Sequence, residues 1–195
     1  MNEIKENNTN EIDFNSLKNY ARGTADFIFD TVEFLVYAII VSVFALCYVY
    51  NIIRVNGTSM LNTLHDGDIA IVNKFFYRPK DGDVVVIKKG QHLDEPLIKR
   101  IIATEGQTLQ INFSDGTVTV DGKVLDETYI RDPMWLRGDN TIPSVIPEGY
   151  TFVMGDNRNH SSDSRFRNVG LIDNNDIVGK AFLIVNPLDR FGWIK

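Results

Sequence analysis

Cysteine and histidine are scarce in this sequence of 195 residues. It has one cysteine, Cys47, and three histidines, His65, His92 and His160. A single cysteine excludes an intramolecular disulfide and any metal site built from several cysteines. The histidines are scattered and lack the i, i+4 spacing that places two metal ligands on one helix face. We therefore predict no metal site.

An excess of positive charge is also missing. The chain has 20 lysines and arginines against 26 aspartates and glutamates, which gives a net charge of −6. Binding to a nucleic-acid backbone requires a basic face. The composition therefore argues against a nucleic-acid partner.

Charge is entirely absent from residues 34–53, an apolar run of 20 positions. This is about the length that a helix needs to cross a bilayer. A buried core helix is the alternative, but such helices are usually shorter and apolar on one face only. We predict a polar tail over 1–26, mobile or weakly helical, a transmembrane anchor over 27–54 and a globular domain over 55–195.

The flanks of the apolar run indicate a permanent anchor. A cleaved secretory signal is disfavoured, because the preceding segment is long and acidic and the run exceeds a typical signal core. A lipoprotein cleavage site before Cys47 is also disfavoured, because Leu46 is too large for the residue that precedes a lipidated cysteine. Lys18 and Arg22 precede the run and Arg54 alone follows it closely. This distribution favours a cytoplasmic N-terminus and an external C-terminal domain.

The segment 55–195 has mostly strand patterns. Its apolar stretches are short, and Asp-Gly turn signals separate several of them. The segment 108–125 alternates and contains two such turns, Asp115-Gly116 and Asp121-Gly122. It predicts a β-meander within an all-β domain of mostly antiparallel sheets.

Two adjacent cations interrupt the apolar stretch "PLIKRIIA", residues 96–103. In a strand, Lys99 shares a face with Leu97 and Ile101, while Arg100 lies on the opposite face. We expect one of the two cations to reach solvent and the other to lie in or beside apolar packing.

A buried lysine can act as a base. Its pKa is ordinarily about 10.4, and burial lowers it, whereas a guanidinium such as that of Arg100 stays protonated. A serine hydroxyl needs a base to become nucleophilic, and Ser59 lies in a Gly-containing polar segment just after the anchor, with Gly57 two residues before it. From the residues alone, an exposed strand lysine and an ordinary polar linker remain the alternatives.

The densest polar stretch is "MGDNRNHSSDSRFRNVGLI", residues 154–172. Acidic and basic side chains interleave in it, and apolar segments flank it. It can satisfy its hydrogen bonds internally and fix the geometry of a site. A solvated loop is the alternative.

Three stretches in this order, "GTSMLNTL", "IKRIIATEG" and "GDNRNHSSDSR", resemble those of bacterial type I signal peptidases, in a short Gram-positive-like form. The resemblance implies Ser59 as the acylated nucleophile and Lys99 as the general base. It implies Ser161 as the hydroxyl that orients the lysine. It implies Asp163 and Arg165 as a bracing charged pair, supported by Asp156.

The resemblance also implies an all-β catalytic domain on the extracytoplasmic side of the cytoplasmic membrane. One N-terminal transmembrane helix is expected to anchor this domain. The implied reaction is removal of signal peptides from secretory preproteins after small residues, without metal or cofactor. The bilayer and the protein-export translocon are the further partners that it suggests. Asn62 stands where the family commonly has proline. Because Gly57 replaces a hydroxyl that some members use for the oxyanion, the backbone of Gly57 and Ser59 is the expected oxyanion site.

Three other interpretations compete with a Ser–Lys peptidase. His160 or His65 could be the base, as in relatives that use histidine, but the Lys-Arg pair argues against this. A self-cleaving Ser–Lys regulator of the repressor type is disfavoured, because such proteins carry a DNA-binding module where this chain has the apolar run. A non-catalytic, membrane-tethered β-domain of the same family is disfavoured because Ser59, Lys99 and Ser161 are all present.

Overall fold

The computed structural model describes residues 14–88 and 95–195. The chain divides into two compact units between Leu46 and Cys47. Each unit is described by itself.

The N-terminal unit is helical. Helix α1 spans Phe14–Val49, so residues 14–26 of the predicted tail are helical, while residues 1–13 lie outside the described part. Among the described residues, one helical segment, Arg22–Val49, is long and apolar enough to cross a membrane. The hydroxyls of Thr31 and Ser42 donate to carbonyls one turn back, at 2.7 Å, and therefore need no solvent partner.

The helix ends five residues before the predicted end of the anchor at residue 54. The helix ends at Val49, and Tyr50–Arg54 form strand β1, which pairs with the strand Ile69–Asn73. Tyrosine and β-branched isoleucines favour a strand once a partner is available. Pairing therefore overrides the uniform apolar character that suggested a continuous helix.

The second unit is built from strands. In chain order they are β1 (Tyr50–Arg54), β2 (Ile69–Asn73), β3 (Val84–Ile87), β4 (Leu97–Ala103), β5 (Leu109–Asn112), β6 (Thr117–Val120), β7 (Lys123–Val124), β8 (Tyr150–Met154), β9 (Ile172–Asp173), β10 (Ile177–Asn186) and β11 (Gly192–Trp193). Two short 3₁₀ helices, Asn174–Asp176 and Leu188–Arg190, flank β10. The all-β prediction is confirmed for the described part of this unit.

The main sheet has the strand order β1-β2-β10-β3-β4-β8-β9, and β11 pairs with β10. All of its pairings are antiparallel. Strand β4 thus lies inside the sheet, between β3 and β8. Residues on an interior strand with both faces covered are shielded from water.

The predicted meander is confirmed as a separate sheet, β5-β6-β7. Its second turn holds Asp121 and Gly122 at φ of 49° and 76°. Positive φ at both central residues is the requirement of a two-residue type I′ hairpin, which Asp-Gly meets at low cost.

Both cations of the "PLIKRIIA" stretch are buried, so the expectation that one reaches solvent is wrong. Lys99 is 3% exposed and Arg100 is 2% exposed. Apolar clusters and the polar loop after β8 cover the two faces of β4. A strand covered on both faces leaves neither alternate side chain in water.

Candidate active site

Ser59 lies in the segment that connects β1 to β2. Backbone hydrogen bonds between Val55 and Asp68 (2.8 Å), and between Gly67 and Val55 (2.9 Å), close the base of this segment. Met60 and Leu64 are buried in the core cluster beneath it. These anchors fix the position of the half-buried Ser59 between them.

The side chain of Lys99 meets Ser59. Its Nζ lies 2.8 Å from Oγ of Ser59 and 3.1 Å from the carbonyl oxygen of Ile98. The antiparallel register of β3 and β4 pairs Lys99 with Val85, which is fully buried. Ser59 and Lys99 are 40 positions apart in sequence, and the sheet brings them together.

Burial lowers the pKa of Lys99 from 10.5 to about 8, and the negative charges of Asp163 and Asp156 oppose this shift in part. A charged ammonium loses hydration inside the protein, which favours the neutral amine. At slightly alkaline pH, Lys99 therefore has a large neutral fraction next to a hydroxyl.

A groove of about 330 Å³ opens at this pair. Its lining comes from residues 53–57, Ser59, Met60, Val86 and residues 95–99. The groove thus runs between the end of β1 and the start of β4, and Ser59 lies in its lining.

Asp163 and Arg165 form the charged pair expected at this site. Nε and Nη2 of Arg165 each donate to one carboxylate oxygen of Asp163 at 2.8 Å, and both side chains are fully buried. Asp163 also accepts from the backbone N–H of Gly155 at 3.0 Å. The pair holds the loop 155–165 closed on itself.

Asp156 pairs with Arg100, a partner that the sequence did not indicate. Nε and Nη2 of Arg100 donate to its carboxylate at 2.8 and 2.7 Å. Thr63 also donates to Asp156, which links the Ser59 segment to the loop 155–165. Asp156 therefore supports the site through Arg100 and Thr63.

The expected hydrogen bond between Ser161 and Lys99 is not formed. Ser161 is 5% exposed, and its Oγ has no hydrogen-bond partner among the described residues. Lys99 instead directs its Nζ to Ser59 and Ile98. Ser161 packs so closely on Gly155 that a Cβ there would overlap its hydroxyl.

Gly57 is not available for the expected oxyanion role. Its backbone N–H donates to Oδ1 of Asp66 at 2.8 Å, and its φ of 87° belongs to the left-handed region that favours glycine. An N–H that already has a carboxylate partner is a poor donor to a second anion. The Ser59 N–H remains as the backbone donor of the predicted pair.

Three residues of the site were not predicted from the sequence. Asn157 donates to the carbonyls of Thr58 and Ser59. Glu127 forms a buried ion pair with Arg158, and the ring of Tyr129 lies 4.0 Å from the guanidinium carbon of Arg100. Asn157 belongs to the polar stretch already singled out, whereas the segment around Glu127 and Tyr129 carries no signal of its own.

Neither described histidine lies against Ser59. His160 is exposed, and the ring of His65 lies 3.3 Å from Arg190. Within residues 14–88 and 95–195, no group of three His, Cys, Asp or Glu side chains is arranged to hold a metal ion. Lys99 is the base candidate that the geometry places beside Ser59.

The sequence is similar to known peptidases over most of its length. Residues 28–186 match the family "Signal peptidase, peptidase S26". A probable signal peptidase I-1 from Synechocystis is 34% identical over 86% of this chain and 87% of its own length. A signal peptidase I from Bacillus licheniformis is 33% identical over 84% of this chain and 91% of its own.

A crystal structure of a signal peptidase I from Enterococcus faecalis aligns with 53% of this chain and 97% of its own, with a TM-score of 0.42 and 24% identity. The family match covers well over half of the chain, and the two relatives match along nearly their whole lengths. By these sequence matches, the chain belongs to the signal peptidase I family, peptidase S26.

Proposed function

We propose that this chain is a membrane-anchored serine endopeptidase that removes signal peptides from exported preproteins after small residues. In this proposal Ser59 is the nucleophile and Lys99 is the general base. The observation that carries it is the 2.8 Å separation of Lys99 Nζ and Ser59 Oγ beside an open groove. This is the distance that a proton transfer between base and nucleophile requires.

Acylation begins when neutral Lys99 accepts the proton of the Ser59 hydroxyl. Oγ attacks the scissile carbonyl carbon, and the carbonyl oxygen becomes an oxyanion. The Ser59 N–H donates to that oxyanion. Lys99, now an ammonium, protonates the amide nitrogen as the C–N bond breaks, and the mature protein leaves while the signal peptide stays esterified to Ser59.

Deacylation repeats these proton transfers with water. Lys99 takes a proton from a water molecule, which attacks the ester carbon, and then returns that proton to Oγ of Ser59 as the C–O bond breaks. Because only the neutral amine is active, kcat/KM falls as pH drops below the lysine pKa of about 8.

The apolar helix supports a role at the membrane. Arg22–Val49 is long enough to hold the domain at a bilayer. A signal peptide is itself an apolar segment, so confinement to one surface raises its effective concentration at the groove. The charges that flank the helix favour a cytoplasmic N-terminus, an extracytoplasmic catalytic domain and access to preproteins emerging from the export machinery.

The test is cleavage of a model preprotein by the purified full chain, with the cut mapped by mass spectrometry. We expect one cut after a small residue, and no cut with Ser59→Ala or Lys99→Met. Lys88→Met is the matched control, because Lys88 directly follows β3 and forms a half-exposed pair with Asp176. Substantial cleavage by either active-site variant would refute the Ser–Lys mechanism.

A non-catalytic homologue is the alternative within the same family. It predicts that the intact chain leaves the preprotein uncut and that a serine-acylating inhibitor does not label Ser59. Labelling of the intact chain, but not of Ser59→Ala, favours the peptidase.

A further inference from the structure

Asn157 bonds the nucleophile segment at two adjacent positions. Its backbone N–H donates to the carbonyl oxygen of Ser59 at 3.0 Å, and its Nδ2 donates to the carbonyl oxygen of Thr58, also at 3.0 Å. Asn157 is 2% exposed, and its own carbonyl accepts from the N–H of His160 at 2.9 Å. One buried residue thus fixes the peptide planes on both sides of the Ser59 Cα.

The bond to Thr58 determines where the Ser59 N–H points. The peptide bond between Thr58 and Ser59 is trans, so its C=O and N–H point in opposite directions. Since the C=O points at Asn157, the N–H points away from it. This N–H donates to no residue in the described part of the chain, and Ser59 lines the groove, whereas the described lining includes no residue of the loop 155–165.

The position needs a hydrogen-bond donor in its side chain. Oδ1 of Asn157 has no hydrogen-bond partner among the described residues. Rotating the amide by half a turn would place Oδ1 against the Thr58 carbonyl, where two acceptors repel. The carboxamide is therefore oriented by the Thr58 carbonyl.

We propose that Asn157 is a positioning residue for peptide-bond cleavage, whose carboxamide aims the Ser59 N–H at the oxyanion. This inference rests on the proposed function, because it requires an oxyanion at Ser59. Asn157 acts through the Thr58–Ser59 peptide and not by contact with substrate. It thereby couples the orientation of the oxyanion donor to the loop 155–165.

The first test is Asn157→Leu, which keeps a similar size and removes the donor. We expect kcat to fall by about 10- to 100-fold, somewhat less than the effect of deleting an oxyanion-hole donor outright. KM should stay unchanged, because the lost interaction acts in the transition state. The pH midpoint of kcat/KM should also stay unchanged, since Leu adds no charge near Lys99.

The matched control is Asn159→Leu in the same loop. Asn159 is also buried, its Nδ2 donates to the carbonyl of Pro133 at 3.0 Å, and its Oδ1 accepts from the N–H groups of Trp135 and Leu136. It makes more side-chain hydrogen bonds than Asn157 but none to the Ser59 segment. We expect this variant to lose at least as much thermal stability and to keep its kcat within about twofold, as for substitutions away from a site.

A transition-state readout separates aiming from general loop damage. A peptide aldehyde ending in a small residue forms a tetrahedral adduct with Ser59, whereas an uncleavable peptide of the same sequence binds without one. Asn157→Leu should weaken the aldehyde by the same factor as kcat and leave the affinity of the uncleavable peptide unchanged. If Asn157→Leu does not fold, Asn157→Asp retains the shape without the donor and is compared at the high-pH plateau.

Normal kcat in the Asn157 variants, or equal losses in the Asn157 and Asn159 variants, contradicts the assignment of Asn157. Equal weakening of the aldehyde and the uncleavable peptide contradicts it as well. Failure of the intact chain to cleave any preprotein contradicts the proposed function instead, so the two failures are distinguishable.

Discussion

At the residue scale, two neighbouring buried cations differ in how the loss of hydration is compensated. Arg100 is ion-paired with Asp156, donates to the carbonyl of Gly82 at 2.7 Å and stacks on Tyr129. Lys99 forms no ion pair with a described residue, and burial lowers its pKa to about 8. A carboxylate partner compensates the burial of the Arg100 guanidinium, whereas burial without an ion pair favours the neutral amine of Lys99, which can act as a base.

The lowered pKa of Lys99 implies a cost in stability. Below pH 8, folding must bury the ammonium or remove its proton, so Lys99→Met should raise the free energy of unfolding of the full chain. For a shift from 10.5 to about 8, this gain is about 3 kcal/mol at 1.36 kcal/mol per pKa unit.

The pH dependence of the stability gain in Lys99→Met shows whether the buried charge causes it. Between pH 8 and 10.5 the unfolded chain binds more protons at Lys99 than the folded chain. The contribution of Lys99 to wild-type stability therefore rises with pH, and the gain from Lys99→Met shrinks. Denaturation at several pH values measures this. A gain that is the same at pH 7 and pH 10.5 would mean that packing, and not charge, is responsible.

At the element scale, strands with turn signals at their ends were predictable from sequence. The meander was predictable because Asp121-Gly122 fits one hairpin turn and alternation fixes one buried face. Strand β1 was missed because local composition cannot distinguish the end of an apolar helix from a strand whose partner lies elsewhere. Its pairing with β2 is a tertiary contact.

The loop 155–165 depends on its buried ion pair. Asp163→Asn leaves Arg165 without its carboxylate partner in a fully buried position, so we expect a loss of about 3–5 kcal/mol in unfolding free energy. Because the charge of Asp163 raises the pKa of Lys99, the pH midpoint of kcat/KM should also move down. Thermal denaturation and a pH–rate profile measure the two effects.

The control for Asp163 is Asp132→Asn. Asp132 and Arg131 form a pair in which both side chains are about half exposed, and such pairs contribute less than about 1 kcal/mol. Comparable destabilisation by the two substitutions, or an upward shift of the midpoint in Asp163→Asn, would contradict this account of the loop.

At the scale of the whole molecule, a sheet brings together residues that sequence order keeps apart. The pairing of Ser59 with Lys99 was expected from the resemblance of three motifs. Strand alternation alone could not supply it, because it does not determine which strands become neighbours. The partners of Asp156 and the hydrogen bond of the Gly57 N–H depend on side-chain packing, which the spacing of motifs does not encode. The same holds for the Ser161 hydroxyl, which has no hydrogen-bond partner among the described residues.

The proposed orientation of the chain predicts where an impermeant reagent can reach it. In a Cys47→Ser background, Lys123→Cys places one thiol on the exposed strand β7. Because the catalytic domain is proposed to lie outside the cytoplasm, an impermeant maleimide should label this thiol in intact spheroplasts. Cys47→Ser without the second substitution is the control, and labelling only after detergent would contradict the orientation.

The most direct test of the central claim is a titration of the Lys99 side chain in the full chain, by NMR of ¹³C-labelled lysine with Lys99→Met used to assign the signal. The account predicts that the amine next to Ser59 loses its proton with a pKa of about 8. A pKa at or above the ordinary lysine value of about 10.4 would contradict the assignment of Lys99 as the base.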